Sequence, residues 1–165
     1  MRSNSGCGGG FANVAFKDLA ANGTALAADT DYPYAGTDEP CREVAGLPWS
    51  RVVSHEEVSG EDAIAAALVQ YGPVAASLDA LAMTHYRSGI QDPWFWQCSG
   101  ANLNHAVLIV GFGEENGKRY WLIQNSWGEQ WGEAGFYRLV RGKRACGIDQ
   151  LGLTPRLVGA ASLVV

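Results

Sequence analysis

The sequence has no apolar run long enough to cross a membrane. The longest run, residues 106–110, is only as long as a β-strand, whereas a membrane-spanning helix needs roughly 18 apolar residues. Residues 1–8 are polar and glycine-rich, and they lack the apolar segment of a secretory signal. No membrane-spanning segment and no secretory signal are therefore expected within these residues.

An excess of basic residues is also missing. The chain has 12 Lys and Arg against 17 Asp and Glu, a net charge of −5 and a pI near 5.1, so a nucleic-acid partner is not expected. There is no internal repeat and no low-complexity segment. With 47% hydrophobic and 18% charged residues over 165 positions, the composition is typical of a folded chain the size of one domain.

No Cys-x-x-Cys pair is present, which argues against a zinc ribbon or a thioredoxin-type site. No metal and no cofactor are expected. The four cysteines are scattered: Cys7, Cys41, Cys98 and Cys146. An even number of scattered cysteines favours disulfides and an oxidising compartment; the alternative is four buried free thiols.

Hydrophobic spacing predicts two helices in the first half of the chain. Residues 11–21 carry apolar side chains at helical intervals and end at Asn22-Gly23, a typical stop signal. Residues 24–59 have no strong period and are interpreted as loop with short extended pieces. A second helix opens at 59–62, with acids in its first turn where the helix dipole favours them, and stops at 71–73.

The second half is predicted to be rich in strands. Asn116-Gly117 is the sharpest turn signal in the chain and predicts a hairpin. The predicted strands are 74–79, 105–113, 119–125 and 135–141. Helices first and strands later indicate an α+β fold with an antiparallel sheet.

Of the three histidines, His55 and His85 lie in polar, loop-like contexts and are predicted to be at the surface. His105 opens the apolar strand NHAVLIVGFG, where on its own it could be a structural residue. The next strand ends at Asn125. A hairpin at Asn116-Gly117 brings the start of one strand beside the end of the other, so His105 and Asn125 are predicted to meet.

An amide carbonyl beside an imidazole has a chemical use. It accepts the proton of one ring nitrogen, which fixes the tautomer and leaves the other nitrogen to face a nucleophile. Asn125 does this without adding charge, which suits a thiolate–imidazolium pair. Trp127 could keep water off the contact. Simple core packing is the alternative for the tryptophans, and it is favoured for Trp131.

Five segments together resemble the papain-like cysteine proteases, in particular their cathepsin L and K branch. They occur in the family's order: GCGGGFANVAF, DYPYAG…CR, GPVAASLDA, LNHAVLIVGFG and QNSWGEQWGEAGFYRLVRG…CGI. The resemblance covers the C-terminal three-quarters of such an enzyme. It implies a barrel-like antiparallel domain over 61–165 and an incomplete helical domain with the crossover over 1–60.

The resemblance also implies roles for the residues of the predicted site. His105 would be the catalytic general base and acid, Asn125 would orient it, and Trp127 would shield the contact and border the leaving-group side. The implied reaction is cleavage of a peptide bond by a thiolate, through a thioester that water hydrolyses.

The nucleophile that the family requires is not found in the sequence. These enzymes carry it in a C-G-[SA]-C-[WY] signature, roughly 130–150 residues before the histidine. Only 104 residues precede His105, and the signature is absent. We expect an N-terminally truncated fragment that is inactive alone. Cys7 is not expected to substitute, because its segment matches a disulfide cysteine and a substrate-lining loop. A non-catalytic homologue that binds peptides or inhibits is the alternative.

The same resemblance assigns the cysteines. Cys98 and Cys146 are implied to form a disulfide. Cys7 and Cys41 are implied to pair with cysteines that the chain does not contain, so both are expected to be without a disulfide partner.

Several residues are implied to bind substrate. Gly9 and Gly10 would offer backbone hydrogen bonds to an extended peptide, as an added strand. A pocket for the second side chain before the cut would be lined by Phe11, Ala12, Ser77, Leu103 and Leu151, with Asn104 beside His105. The lining is apolar or small, so an aliphatic or aromatic side chain is expected, and uncharged Leu151 predicts no preference for Arg.

The resemblance suggests where the protein acts and with what. Peptide or protein substrates and protein inhibitors of cysteine proteases are the implied partners, with no nucleic acid and no membrane. A monomer is expected for the complete enzyme. A lysosomal, vacuolar or extracellular location is expected from the family and the cysteine usage.

Overall fold

The computed structural model describes residues 4–42 and 50–158. Its contacts divide the chain into two compact units. The first unit is Met1–Glu56 together with Pro155–Val165, and the second unit is Glu57–Thr154. The domain boundary expected at residue 60 concerns the family's architecture and stays a prediction.

The first unit contains the first predicted helix. Helix α1 spans Ala12–Asn22, and Gly23 follows it with a left-handed backbone, at φ 60°. The Gly23 N–H bonds back to the carbonyl of Ala20, as glycine commonly does after the last helical turn. The predicted stop at Asn22-Gly23 is therefore confirmed.

The interpretation of 24–59 as loop with short extended pieces fits at its start but is wrong at its end, where a nine-residue strand forms. Strand β1 is Ala25–Leu26 and strand β2 is Ser50–Val58, and they pair antiparallel, with Ala25 opposite Arg51. Only one side chain of β2, Val52, is fully buried. The sequence of β2 is mostly polar and does not alternate, so it does not predict a strand. β2 is held instead by backbone pairing to a distant segment. Residues 43–49 of the predicted loop lie outside the described residues.

The surface, loop-like placement predicted for His55 is also wrong. His55 lies within β2 and is half-buried. Its ring centroid is 6.0 Å from that of Phe16 on α1. His85, in contrast, is exposed as predicted.

The second unit is built on a sheet and one helix. Helix α2 is Glu61–Tyr71, where the second helix was predicted. The strands that follow are β3 Val74–Leu78, β4 Ile90–Gln91, β5 His105–Glu115, β6 Lys118–Gln124, β7 Phe136–Val140 and β8 Gly152–Val158. Only residues 152–154 of β8 belong to this unit. These strands are ordered β8-β3-β5-β6-β7-β4. The four predicted strands are confirmed, whereas short β4 and proline-containing β8 were not predicted.

The β5–β6 hairpin forms at the predicted turn. Asn116 and Gly117 both have positive φ, at 52° and 75°, and the ladder closes with Glu115 opposite Lys118. Positive φ at both central residues is what the commonest two-residue hairpin turns require. The hairpin sets the register that brings the start of β5 near the end of β6.

The core of the second unit follows from strand alternation. β5, β6 and β7 each contain a pair of buried side chains that are two positions apart, as a strand with one covered face does. These side chains are Val107 and Ile109, Trp121 and Ile123, and Tyr137 and Leu139. Helix α2 adds Ile64, Ala65 and Ala67 to the same cluster. The ends of β5 and β6 are thus anchored by buried neighbours.

Two kinds of feature are absent from the described part of the chain. Over residues 4–42 and 50–158, no helix is both long and apolar enough to cross a bilayer. Across the same ranges, no three His, Cys, Asp or Glu side chains are gathered as metal ligands would be.

Candidate active site

His105 and Asn125 meet, as the hairpin predicted. His105 is the first residue of β5 and lies opposite Leu78 of β3. Asn125 follows the last residue of β6, and its N–H bonds to the carbonyl of Gly135 at 3.0 Å. The imidazole Nε2 is 2.8 Å from Asn125 Oδ1. Both partners are therefore held by the backbone ladder of the sheet.

The neighbour of Asn125 defines where the proton of His105 lies. The backbone N–H of Ser126 donates to Asn125 Oδ1 at 2.9 Å, so the atom that faces it must be the amide oxygen. An amide oxygen only accepts hydrogen bonds, so the imidazole must donate from Nε2. Nδ1 is then left as the acceptor, which can take a proton from an approaching group.

Trp127 packs beside the imidazole. Its ring centroid lies 5.0 Å from that of His105, at an interplanar angle of 34°, and 41% of Trp127 is exposed. Trp131 meets Trp127 edge-on at 5.1 Å and packs against the core next to Tyr86. This geometry fits Trp127 as a cover over the contact between His105 and Asn125. It also fits the core packing that the sequence favoured for Trp131.

The glycines of the Trp-Gly pairs shape the turn that carries these rings. Gly128 and Gly132 have φ of 86° and 60°, where other residues are strained. A Cβ on Gly132 would lie 2.6 Å from the carbonyl oxygen of Phe136. The chain therefore needs glycine at that position to fold back from β6 to β7.

Four of the predicted substrate-binding residues belong to the second unit. Ser77 lies opposite Ala106, beside the start of β5. The pairing of Ala76 with Gly152 places Leu151 next to Ser77 in the same register. Leu103 and Asn104 directly precede His105, and Leu103 and Leu151 are both partly exposed. Their roles in binding stay a prediction.

The other four belong to the first unit: Gly9, Gly10, Phe11 and Ala12. Gly9 already uses both backbone groups, because its N–H bonds to Gly6 and its carbonyl accepts from Ser5. The side chain of Asn4 occupies the N–H and the carbonyl of Phe11. Among the described residues, nothing bonds to the backbone of Gly10, which makes it the better candidate of the predicted glycine pair.

The cysteines have the expected arrangement. Cys98 and Cys146 form a disulfide, which confirms the implied pair. Cys7 and Cys41 are exposed and form no disulfide, also as expected. No thiol of the second unit is therefore available to the imidazole, since both of its cysteines are bonded to each other.

Sequence reasoning missed Asp79. This residue follows β3, is 3% exposed, and accepts a hydrogen bond from the side chain of Asn104 at 3.2 Å. The signal was present in GPVAASLDA, where a charged residue ends an apolar strand. A charge in that position needs partners, and a single sequence does not say which segments supply them.

Comparison with known proteins identifies relatives over nearly the whole chain. The model of the family described as papain family cysteine protease matches residues 1–156. Cysteine proteinase 15A of Pisum sativum is 39% identical over 156 residues, covering 90% of this chain and 42% of the relative. Cathepsin K of Mus musculus is 37% identical over 162 residues, covering 95% and 48%. The chain thus spans slightly less than half the length of these relatives.

Solved structures agree with the fold. Digestive procathepsin L 3 of Tenebrio molitor larval midgut superposes with a TM-score of 0.82 at 33% identity, covering 92% of this chain and 50% of that one. The bromelain protease of Ananas comosus in complex with the E64 inhibitor gives 0.82 at 31% identity, covering 96% and 74%. The papain-like α+β fold expected from the sequence is confirmed.

Proposed function

Because the chain belongs to the papain family of cysteine proteases, we propose that it carries the histidine–asparagine part of a cysteine peptidase site. The observation that supports this most is the 2.8 Å contact between His105 Nε2 and Asn125 Oδ1. It leaves Nδ1 as a proton acceptor, which is what a thiol nucleophile requires of its base.

In the proposed reaction, His105 Nδ1 takes the thiol proton and the thiolate attacks the peptide carbonyl. As the carbon–nitrogen bond breaks, the imidazolium returns the proton to the leaving amine. His105 then activates a water molecule that hydrolyses the thioester. Asn125 keeps the ring oriented without adding a negative charge, so the thiolate–imidazolium pair stays neutral overall.

We further propose that the thiol comes from a segment with the C-G-[SA]-C-[WY] signature, which these 165 residues do not contain. Cys98 and Cys146 are bonded to each other. The first unit offers only Cys7 and Cys41, whose positions match disulfide cysteines of the family. The chain alone is then expected to be inactive.

Two assays test this proposal. The purified chain should not cleave a fluorogenic Phe-Arg peptide. It should also form no covalent adduct with a thiol-directed peptide epoxide, because the second unit has no free thiol to face His105. When the chain is complemented with the signature-bearing N-terminal segment of mouse cathepsin K, thiol-dependent cleavage should arise. His105→Ala should abolish it, a loss of at least about a hundredfold, as expected for a general base.

Two results would overturn the proposal. Turnover by the chain alone that Cys7→Ala removes would make Cys7 the nucleophile. If a folded, complemented chain cleaves peptide equally fast with and without His105→Ala, the imidazole is not the general base. Binding of peptide without any turnover in either form would instead favour the non-catalytic homologue.

The substrate and the location belong to the same proposal. Ser77, Leu103 and Leu151 are small or apolar, which supports an aliphatic or aromatic side chain at the pocket and no preference for Arg. A complemented chain given paired peptides with Leu or Arg at that position should cleave the Leu peptide faster. The Cys98–Cys146 disulfide fits a lysosomal, vacuolar or extracellular location.

A further inference from the structure

Asp79 is a buried carboxylate that accepts hydrogen bonds from the turn that follows it and from two distant segments. Its Oδ2 accepts from the N–H of Ser99 at 2.8 Å, and its Oδ1 accepts from the N–H of Leu81 at 3.1 Å and from Asn104 Nδ2 at 3.2 Å. Burial raises the pKa of Asp79, but these hydrogen bonds more than offset it, so the pKa lies below its ordinary value. The group is therefore a carboxylate at neutral pH.

Asn104, the residue before His105, is hydrogen-bonded at both polar atoms of its side chain and at its backbone N–H. Its Nδ2 donates to Asp79, its Oδ1 accepts from the N–H of Ala80 at 3.0 Å, and its own N–H donates to the carbonyl of Leu78 at 3.1 Å. Because Leu78 is also the ladder partner of His105, the entry to β5 is fixed from one short segment around Asp79.

The disulfide reaches Asp79 from both sides. The N–H of Asp79 donates to the carbonyl of Cys146 at 2.9 Å. Ser99, which binds the carboxylate, directly follows Cys98, and Cys98 is bonded to Cys146. Asp79 therefore connects the two disulfide-bonded segments, through Ser99 and Cys146, to Asn104 at the start of the strand that carries the imidazole.

We propose that Asp79 is a positioning residue that holds His105 in line with Asn125 by fixing Asn104. A carboxylate is required because all three partners are N–H donors, and a carboxylate only accepts. An amide at this position would turn its own N–H₂ toward at least one of them. The catalytic consequence rests on the proposed peptidase function, whereas the positioning is a property of the folded chain.

Nitrogen NMR of the histidine rings tests this in the full chain. In the wild type, His105 should show a single tautomer with a slowly exchanging Nε2 proton. Asp79→Asn should speed the exchange of that proton at least about tenfold, matching the loss of one hydrogen bond to a charged acceptor, and should populate the second tautomer. His55 and His85 in the same spectrum should not change.

Asp149→Asn is the matched control. Asp149 is another buried carboxylate of the second unit, 7% exposed, and its side chain pairs with Arg144 rather than with Asn104. It should leave the His105 signals as in the wild type. A folded Asp79→Asn chain with unchanged His105 signals would overturn the proposal, and so would an equal change in Asp149→Asn.

Asn104→Ala keeps the test decisive if Asp79→Asn does not fold, because it leaves the other two hydrogen bonds of the carboxylate in place. It should change the His105 signals in the same direction. If both single variants fold, the double variant should show no further change, since Asp79 acts through Asn104. Additive effects, or normal His105 signals in Asn104→Ala, would contradict the proposal.

This readout is independent of turnover. If the complemented chain never cleaves a peptide but Asp79→Asn disturbs His105 selectively, the peptidase proposal fails and the positioning role stands. If cleavage occurs and depends on His105, while Asp79→Asn leaves its ring signals unchanged, only the positioning role fails.

Discussion

At the scale of single residues, the proton of His105 is assigned by a neighbour that has no role in the proposed chemistry. The N–H of Ser126 requires an oxygen at Asn125 Oδ1, and that oxygen requires a proton on His105 Nε2. The sequence predicted that the two side chains meet. It could not predict which atoms face each other, because that depends on the backbone after β6.

Asn125→Ala tests the orientation directly. The variant removes the acceptor of His105 Nε2–H, so we expect a loss of about 1 kcal/mol in the free energy of unfolding. The Nε2 proton should also exchange rapidly and both tautomers should be populated. Urea unfolding and nitrogen NMR measure the two effects.

Ser126→Ala is the control, since it changes an exposed neighbour but keeps the backbone N–H that orients Asn125. It should leave the His105 signals unchanged. A slowly exchanging Nε2 proton that persists in Asn125→Ala would show that another acceptor holds the ring.

At the scale of elements, the β5–β6 hairpin carries the site and depends on its turn. Asn116 and Gly117 adopt left-handed backbone angles, and the ladder from Glu115–Lys118 to Leu108–Gln124 follows. The Asn-Gly signal is local, so this element could be predicted from the sequence alone.

Gly117→Ala should destabilise the chain by about 1–2 kcal/mol, because a side chain is disfavoured at φ 75°. Gly111→Ala, in the same hairpin, is the matched control, since its Cβ would meet Leu122 at an ordinary 3.6 Å. Urea unfolding followed by tryptophan fluorescence compares them. Equal losses in the two variants would argue against backbone strain at the turn.

A second feature at this scale is the set of hydrogen bonds by which Glu133 joins Gly89, just before β4, to Arg138 of β7; we call this set the clamp. Glu133 accepts two hydrogen bonds from Arg138, at 2.8 Å each, and one from the N–H of Gly89 at 2.8 Å. The hydrogen bonds from Arg138 are the main reason that the pKa of Glu133 lies below its ordinary 4.5, against the opposing effect of burial. β4 has only two residues, Ile90 and Gln91, so this clamp supplements a very short ladder.

Glu133→Gln should lower stability by about 1.5–3 kcal/mol at pH 7, the range for hydrogen bonds to charged groups. A carboxyl whose pKa is lower in the folded state stabilises the fold above the ordinary pKa, and that contribution is lost as the pH falls below 4.5. The stabilities of the wild type and the variant should therefore converge as the pH is lowered below 4.5. Urea unfolding across this range checks it, with exposed Glu129→Gln as control, and a pH-independent difference would contradict the assignment.

At the scale of the whole molecule, the bonded and the free cysteines are expected to contribute differently to the free energy of unfolding. Cys98 and Cys146 are 48 positions apart and both buried, so their bond removes much freedom from the unfolded chain. Cys7 and Cys41 are exposed and unbonded to sulfur. Only the first pair is expected to matter for the stability of this chain.

Replacing Cys98 and Cys146 together by serine should lower the free energy of unfolding by about 4 kcal/mol, the chain-entropy value for a loop of this length. Replacing Cys7 and Cys41 together should change it by less than about 0.5 kcal/mol, as for other exposed positions. Urea unfolding of both double variants makes the comparison. Similar losses would mean that the exposed cysteines are structurally engaged.

Much of the fold could be predicted because its signals are local. Short spacings in the sequence predict four features: the end of α1 at Gly23, the span of α2, the β5–β6 hairpin, and the contact of His105 with Asn125. What was missed depends on distant pairing: β2 reads as polar loop until β1 pairs with it, and β8 contains a proline yet joins β3. The binding roles of Gly10 and Leu151 are still predictions, since they need a bound peptide.

By itself the sequence determined the family, the α+β class and the identity of the pair at the site. Those properties are written in motifs and periodicities that act over a few residues. The tertiary structure decided which nitrogen of His105 carries the proton, and which segments satisfy Asp79. Both depend on donors brought together from distant parts of the chain: Ser99 and Asn104 lie 20 and 25 positions from Asp79, and only folding determines that they share one carboxylate.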